Sequence, residues 1–229
     1  MRSGTKLKDI RATAYQSTYK ELPPTPRNLK EALDPNNPDC IHWLKATNDE
    51  FKEMFERNVF EELSEEEANY LESIGITGFD SKVVLKVKRE ANNTIKYKAR
   101  LVARGFTQVF GIDYDETYSP TVSPATFMTV LFIAKTFSWE ITGVDIGNAY
   151  LEALANRLLI MTMPVDWTHD KKIKVRLLKN IYGTKQAALL WFVRLTHSLE
   201  KFGFRKFQTD ACCFMFRKKR KDYDCRSIC

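Results

Sequence analysis

The sequence has few of the residues that build metal centres and disulfide frameworks. It contains only three histidines and five cysteines, and no two cysteines have the Cys-x-x-Cys spacing of a zinc ligand pair. The odd cysteine number and the lack of an apolar signal segment predict free thiols in a reducing compartment, the cytoplasm or the nucleus. No stretch reaches the length of a transmembrane helix, so we expect no membrane partner.

Charge and hydrophobic content restrict the possible class of protein less than these absences do. The chain of 229 residues carries 36 Lys and Arg against 29 Asp and Glu, a formal charge of +7, and 44% of its residues are hydrophobic. This composition supports a sizeable core in one large domain or two small ones. The basic excess is compatible with an anionic partner such as nucleic acid, but many proteins this basic bind none.

The N-terminal third divides into a proline-rich lead-in and two helical segments. Residues 1–38 are expected to form an extended, disordered lead-in, because its prolines remove backbone donors and restrict their predecessors. Apolar residues on one face predict a helix over 41–57. Ser64 and Glu67 have the spacing of a capping box, which predicts a second helix to about Ser73.

A basic β-hairpin is predicted from Lys82 to about Phe106, with its turn at Asn92 and Asn93. Lys98, Arg100 and Arg104 are separated by even numbers of residues, so a strand would project them from one face. Two interpretations remain open. The hairpin is either a solvated edge protected by lysines or a surface for phosphate groups.

The stretch around Asp145 predicts a strand from Trp139 to Ile146 that ends at Gly147. Alternation would bury Val144 and Ile146 on one face and leave the Asp145 carboxylate on the other. An acid at a strand end followed by a turn is a plausible site for a metal ion and a substrate. It is also a common way to end a strand with no chemistry attached.

Local patterns predict the remaining elements. A helix beginning at Ala125 carries an apolar stripe that we expect to be buried, and a second helix after Gln186 should end at Gly203. Strands are predicted at 158–161, 173–177, 204–207 and 212–216. The run 217–221 is expected to be a solvated hairpin tip, with 222–229 as the returning strand.

These motifs together resemble the reverse transcriptase domain of copia-type LTR retrotransposons. The resemblance covers the chain from about Trp43 onward. It rests on Tyr97–Gln108, on Gly111–Tyr114 with Glu116–Pro120, on Val144-Asp145 with Ala149–Leu151, on Met161 with Pro164, on Tyr182–Ala187 with Trp191, and on Phe202–Phe204 with Asp210. They occur in the family's order and at its spacings.

The resemblance implies an α+β, right-hand polymerase fold over residues 39–229. Fingers would occupy about 41–137 and an incomplete palm about 138–229, with no thumb. It also implies an RNA or DNA primer–template and dNTPs as partners, and two magnesium ions as cofactors.

Roles for six residues follow from the resemblance. Asp145 looks like the first catalytic aspartate and a magnesium ligand, assisted by the backbone carbonyl of Ile146. Lys98 and Arg100 look like the residues that grip the incoming triphosphate. Tyr150 resembles the steric gate against a ribose 2′-hydroxyl, and Gln186 resembles the glutamine that contacts the nucleotide near its ribose and base.

One departure of the sequence from the family pattern affects the polymerase activity that we expect. The family's Tyr-Val-Asp-Asp turn, which supplies two further catalytic aspartates, is expected after the strand 222–229 and does not occur in the sequence. One aspartate is a poor site for two magnesium ions, since Mg²⁺ gives up its hydration reluctantly. We therefore expect a reverse transcriptase fragment that does not polymerise DNA by itself. The alternatives are a degenerate, non-catalytic remnant, a nucleic-acid-binding module, and a structural protein.

Overall fold

The computed structural model describes residues 21–165, 167, 171–219 and 224–228, and this part of the chain is a mixed α+β structure. Its helices are α1 (Leu29–Ala32), α2 (Cys40–Glu56), α3 (Glu65–Ser73), α4 (Pro124–Thr136) and α5 (Ala187–Lys201). Its strands are β1 (Phe60–Glu62), β2 (Phe79–Arg89), β3 (Ile95–Ala103), β4 (Leu154–Thr162), β5 (Lys174–Lys179), β6 (Arg205–Lys206), β7 (Phe214–Lys219) and β8 (Asp224–Ile228). Short 3₁₀ turns lie at Gly105–Thr107 and Ala149–Glu152.

The chain divides into two compact units. The first contains the described residues up to Asn48 together with Val84–Arg100. Its core is formed by Ala32, Trp43 and Val87. Tyr97 packs its ring edge-on against Trp43, at 4.9 Å between centroids. Burial, aided by a hydrogen bond to Asp39, raises the pKa of Tyr97 to about 12, so the phenol stays neutral.

The second unit contains Asp49–Val83 and the described residues from Leu101 onward. In this unit β1, β5, β4 and the beginning of β2 are neighbours in that order, and β4 runs antiparallel to β5 and parallel to β2. The residues from Leu159 to Met161 on β4 are buried, as are Val175 and Leu177 on β5. Strands β6, β7 and β8 form a separate antiparallel sheet.

Local sequence signals place several elements correctly. Helix α2 confirms the helix predicted over 41–57. The side chain of Ser64 accepts a bond from the Glu67 N–H, and the Glu67 carboxylate accepts one from the Ser64 N–H, so the capping box is confirmed. Strands β2 and β3 confirm the basic hairpin. The lead-in contains the one-turn helix α1, whose Leu29 is buried, while residues 1–20 lie outside the described part.

The strand predicted from Trp139 to Ile146 is wrong. These residues belong to no strand, and the side chains of Val144 and Ile146 are 85% and 43% exposed. Val144 and Ile146 have the spacing that a strand requires, but a strand also needs a neighbour that accepts its backbone hydrogen bonds. In the described residues no strand of either sheet pairs with this segment.

The predicted apolar stripe of helix α4 is largely uncovered. The helix forms with Ser123 as its N-cap and Pro124 in its first turn, yet Ala134 is its only buried residue. Phe127 and Phe137 are both more than half exposed. Periodicity therefore predicted the helix but not the burial of this face. The helices of the described segments are all too short or too polar to cross a membrane.

Asp210 ties the start of helix α4 to the turn before β7. Its carboxylate accepts bonds from the backbone N–H groups of Ser123, at 3.0 Å, and Cys212, at 2.9 Å. The bond from the Ser123 N–H is the main reason that the pKa of Asp210 is lowered. These two hydrogen bonds are therefore strongest when the Asp210 carboxylate is ionised.

A pH-dependent loss of stability is expected when Asp210 is replaced by Asn. The folded-state pKa lies below the unfolded value, so the stabilisation is present above about pH 4 and disappears as the pH falls through the folded pKa. Urea unfolding should show Asp210→Asn less stable than wild type at pH 7, with the difference shrinking in acid. Asp49→Asn, an exposed position on helix α2, is the control. A difference that is equal at all pH values would contradict the assignment.

Candidate functional site

Lys98 and Arg100 lie on one face of strand β3. The residues between and after them, Ala99 and Leu101, are buried on the opposite face. The prediction that the two cations share a face is therefore confirmed, and both belong to the first unit. Arg104, the third cation of the predicted set, follows the end of the strand.

The environment of Lys98 is crowded with positive charge. Partial burial lowers the pKa of its ammonium, and Lys88, Lys96 and Arg100 lower it further by repulsion. Glu90 acts in the opposite direction, but its carboxylate is paired with Lys96 at 3.0 Å. A bound anion would relieve this repulsion, which favours the phosphate-binding interpretation of the hairpin over the solvated edge.

Asp145 lies in the exposed segment between helix α4 and the 3₁₀ turn at Ala149–Glu152. No group of three His, Cys, Asp or Glu side chains in the described residues is arranged to hold a metal ion. The donors predicted for magnesium are the Asp145 carboxylate and the Ile146 carbonyl. Mg²⁺ requires a fuller shell of oxygen ligands, so these two donors do not fit a complete catalytic site.

Tyr150 is held in the 3₁₀ turn that follows Asp145. Asn148 enters the turn with a left-handed φ of 51°, which asparagine tolerates better than most residues. Leu151 anchors the turn in the core. The ring of Tyr150 contacts that of Tyr182, with 4.9 Å between centroids and 60° between planes. Tyr182 therefore limits where the Tyr150 ring can lie.

Gln186 is buried and both ends of its amide are occupied. Its side chain is only 2% exposed. The Oε1 atom accepts a bond from Nε2 of Gln108 at 3.3 Å, and Nε2 donates to the carbonyl of Asp113 at 3.1 Å. The nucleotide contact predicted for Gln186 stays a prediction. In this structure the amide contacts protein, so such a contact requires one of these bonds to open.

The backbones around Gln108 and Gln186 approach closely. The Ala103 N–H donates to the Tyr182 carbonyl at 2.8 Å. A Cβ atom at Gly105 would overlap the carbonyl oxygen of Gly183, and one at Gly183 would overlap the carbonyl oxygen of Ala103. Only glycine fits at these two positions without a shift of the backbone. The segment from Ala103 to Gln108 is thus in contact with the turn from Tyr182 to Gln186.

The loop after Gln108 is fixed by bonds that sequence reasoning missed. The Asp113 carboxylate accepts a bond from the Val109 N–H at 2.7 Å. The guanidinium of Arg157 on β4 donates to the carbonyl of Gly111 at 2.9 Å and pairs with Asp115. The contacts of Arg157 have no local sequence signal, because their partners are more than forty positions away in the chain. The loop therefore presents a defined backbone to Gln186.

The predicted site residues thus fall in two places. Lys98 and Arg100 belong to the first unit, whereas Asp145, Tyr150 and Gln186 belong to the second. Within the second unit, the turn from Ile181 to Gln186 connects Tyr150, through Tyr182, with the buried Gln186.

Comparison with known families defines the class of protein. The family described as "Reverse transcriptase (RNA-dependent DNA polymerase)" matches residues 74–222, well over half of the chain. The chain therefore belongs to the reverse transcriptase family. No solved structure matches it.

The curated relatives indicate the branch of that family. The chain is 27% identical over 203 residues to the "Retrovirus-related Pol polyprotein from transposon TNT 1-94" of Nicotiana tabacum, covering 86% of this chain and 14% of that protein. It is 36% identical to the Pol polyprotein from transposon RE2 of Arabidopsis thaliana, over 55% of this chain and 9% of that protein. The "Transposon Ty1-H Gag-Pol polyprotein" of Saccharomyces cerevisiae is 34% identical over 52% of this chain and 7% of its own length. The predicted resemblance to copia-type reverse transcriptases is confirmed, and the chain spans about a seventh or less of these relatives.

Proposed function

We propose that this chain is the nucleotide- and template-binding part of a copia-type reverse transcriptase, with fingers at about 41–137 and part of a palm at about 138–229. The observation that carries the proposal is the crowded cationic face around Lys98. Lys98 and Arg100 bind phosphate groups there, since a guanidinium matches phosphate geometry and an ammonium supplies a compact charge. Tyr150 discriminates against a ribose 2′-hydroxyl.

Asp145 is the acid that this chain contributes to metal-dependent nucleotidyl transfer. When bound, magnesium ions would activate the primer hydroxyl and neutralise the pyrophosphate. The Asp145 carboxylate and the Ile146 carbonyl would be two of the ligands. Because two donors do not complete the magnesium shell, we propose that this chain binds nucleic acid but does not extend a primer alone.

Binding and extension assays on one preparation test both parts of the proposal. The chain should bind a primer–template with an affinity that falls steeply with salt, because phosphate contacts release counterions. It should incorporate no dNTP with either magnesium or manganese. Primer extension that disappears in Asp145→Asn would overturn the second part. Failure to bind at low salt would overturn the first and favour a plain structural protein.

A second candidate function is a nucleic-acid-binding module that has lost catalysis altogether. The predicted metal site has a single carboxylate, and the described residues contain no group of three metal-ligating side chains. This observation fits a non-catalytic module as well as it fits a fragment of an active enzyme. The two differ in the genomic reading frame beyond Cys229. A Tyr-Val-Asp-Asp sequence in that frame supports the enzyme fragment, whereas a stop codon or unrelated sequence supports the module.

A further inference from the structure

The amides of Gln108 and Gln186 form a relay with a fixed direction. The Lys185 N–H donates to Oε1 of Gln108 at 2.8 Å, and Nε2 of Gln108 donates to Oε1 of Gln186. Nε2 of Gln186 then donates to the Asp113 carbonyl. A backbone N–H can only donate and a backbone carbonyl can only accept, so the two ends determine the orientation of both amides.

Burial makes this direction costly to change. Gln108 is 6% exposed and Gln186 is 2% exposed, so neither amide can exchange a lost partner for bulk water. Flipping one amide would set oxygen against oxygen or leave a buried N–H without an acceptor. The relay therefore holds the turn from Ile181 to Gln186 at one distance from the loop that follows β3.

The same turn carries Tyr182, whose ring contacts Tyr150. Between the relay and that ring lie Gly183, in close contact with the Ala103 carbonyl, and the Tyr182 carbonyl, bonded to the Ala103 N–H. Displacing Lys185 and Gln186 would move a short, tightly packed segment whose other end limits the Tyr150 ring. This connects an interior glutamine to the residue proposed to sense the ribose.

We propose that Gln108 is a positioning residue for nucleotide selection, acting through Gln186 and Tyr182 on Tyr150. The inference rests on the proposed role of Tyr150. Gln108 touches no nucleotide in this assignment. Its function is to hold the turn so that the Tyr150 ring stands where a 2′-hydroxyl would collide with it.

Replacing Gln108 by Glu gives a test in which the pH determines whether the relay can form. In its ionised form the introduced carboxylate can still accept the Lys185 N–H, but its second oxygen faces Oε1 of Gln186 and repels it. In its protonated form the introduced carboxyl group can donate to that atom and restores the relay. Burial raises the pKa of a carboxyl group, so about pH 8.5 and about pH 5.5 are chosen to sample the two forms.

The readout is the ratio of the dissociation constants of ATP and dATP, measured by calorimetry in magnesium buffer. Wild type should prefer dATP at both pH values. Gln108→Glu should lose about tenfold of that preference at the higher pH and regain it at the lower. Gln108→Met, which fills the space without polar atoms, should show the loss at both. Gln208→Glu, at an exposed position, is the matched control and should behave as wild type.

The outcomes separate this inference from the function on which it rests. A wild type that binds neither nucleotide, or binds both equally, overturns the role of Tyr150 and the inference with it. A wild type that discriminates, with a Gln108→Glu variant that discriminates equally at high pH, overturns the inference alone. Circular dichroism monitors folding. If Gln108→Glu does not fold at high pH, an undiminished preference in Gln108→Met overturns the inference instead.

Discussion

Replacing Lys98 and Arg100 together by Gln is expected to lower the affinity of the chain for a primer–template by about 10- to 100-fold at low salt. Both side chains project from the same face of β3, where Lys88 and Lys96 add to the positive potential. Removing two phosphate contacts should also reduce the slope of log K against log salt by about 2. Fluorescence anisotropy with a labelled primer–template over a salt series measures both quantities.

The control for this experiment removes the same charge elsewhere in the first unit. Lys30 and Lys45 are exposed on helices α1 and α2, so their joint replacement by Gln leaves the hairpin intact. We expect only a small loss of affinity, of the size that net charge produces through long-range attraction. Equal losses in the two double variants would mean that the chain binds nucleic acid through its overall charge and not through the hairpin.

The position of Lys98 and Arg100 was predictable because the signal is local. A strand places every second side chain on one face, so the spacing of the two cations was enough. The capping box at Ser64 was predictable for the same reason, since its two partners are three residues apart. In both cases the pairing that stabilises the element lies within or next to the element itself.

The strand around Asp145 was not predictable from its own pattern. Val144 and Ile146 have the spacing of two residues on one face of a strand, but strand formation also depends on a partner that the pattern does not specify. The burial of helix α4 was not predictable for the same reason. Its hydrogen bonds are internal, so it forms, but whether Phe127 is covered depends on the rest of the chain.

The hydrogen bond between Gln108 and Gln186 was not predictable from the sequence. Gln108 and Gln186 are 78 residues apart, and each is an ordinary polar residue in its own segment. Resemblance to a family suggested a role for Gln186 alone. Only the fold shows that its amide is bonded to Gln108 and Asp113, so a direct contact with a nucleotide would require one of these bonds to open.

The close approach of Gly183 to the backbone of Ala103 gives the largest expected effect on stability. Replacing Gly183 by Ala is expected to reduce the free energy of unfolding by at least about 3 kcal/mol. The residue has a φ of +91°, which strains any L-amino acid. Its new Cβ atom would also overlap the Ala103 carbonyl oxygen and lie 2.7 Å from Cγ1 of Val102. The bond from the Ala103 N–H to the Tyr182 carbonyl prevents the two segments from moving apart freely.

Gly75 separates the two causes of this loss, because its φ of +88° nearly equals that of Gly183 and a Cβ atom added there would meet no atom within 4 Å among the described residues. Gly75→Ala should therefore cost only the left-handed strain, about 1–2 kcal/mol. The excess loss in Gly183→Ala, read from urea unfolding of both variants, measures the backbone contact. If the two variants unfold at the same urea concentration, the turn before helix α5 is free to retreat from β3. A turn with that freedom could not hold the Tyr150 ring in place, so the same measurement bears on nucleotide selection.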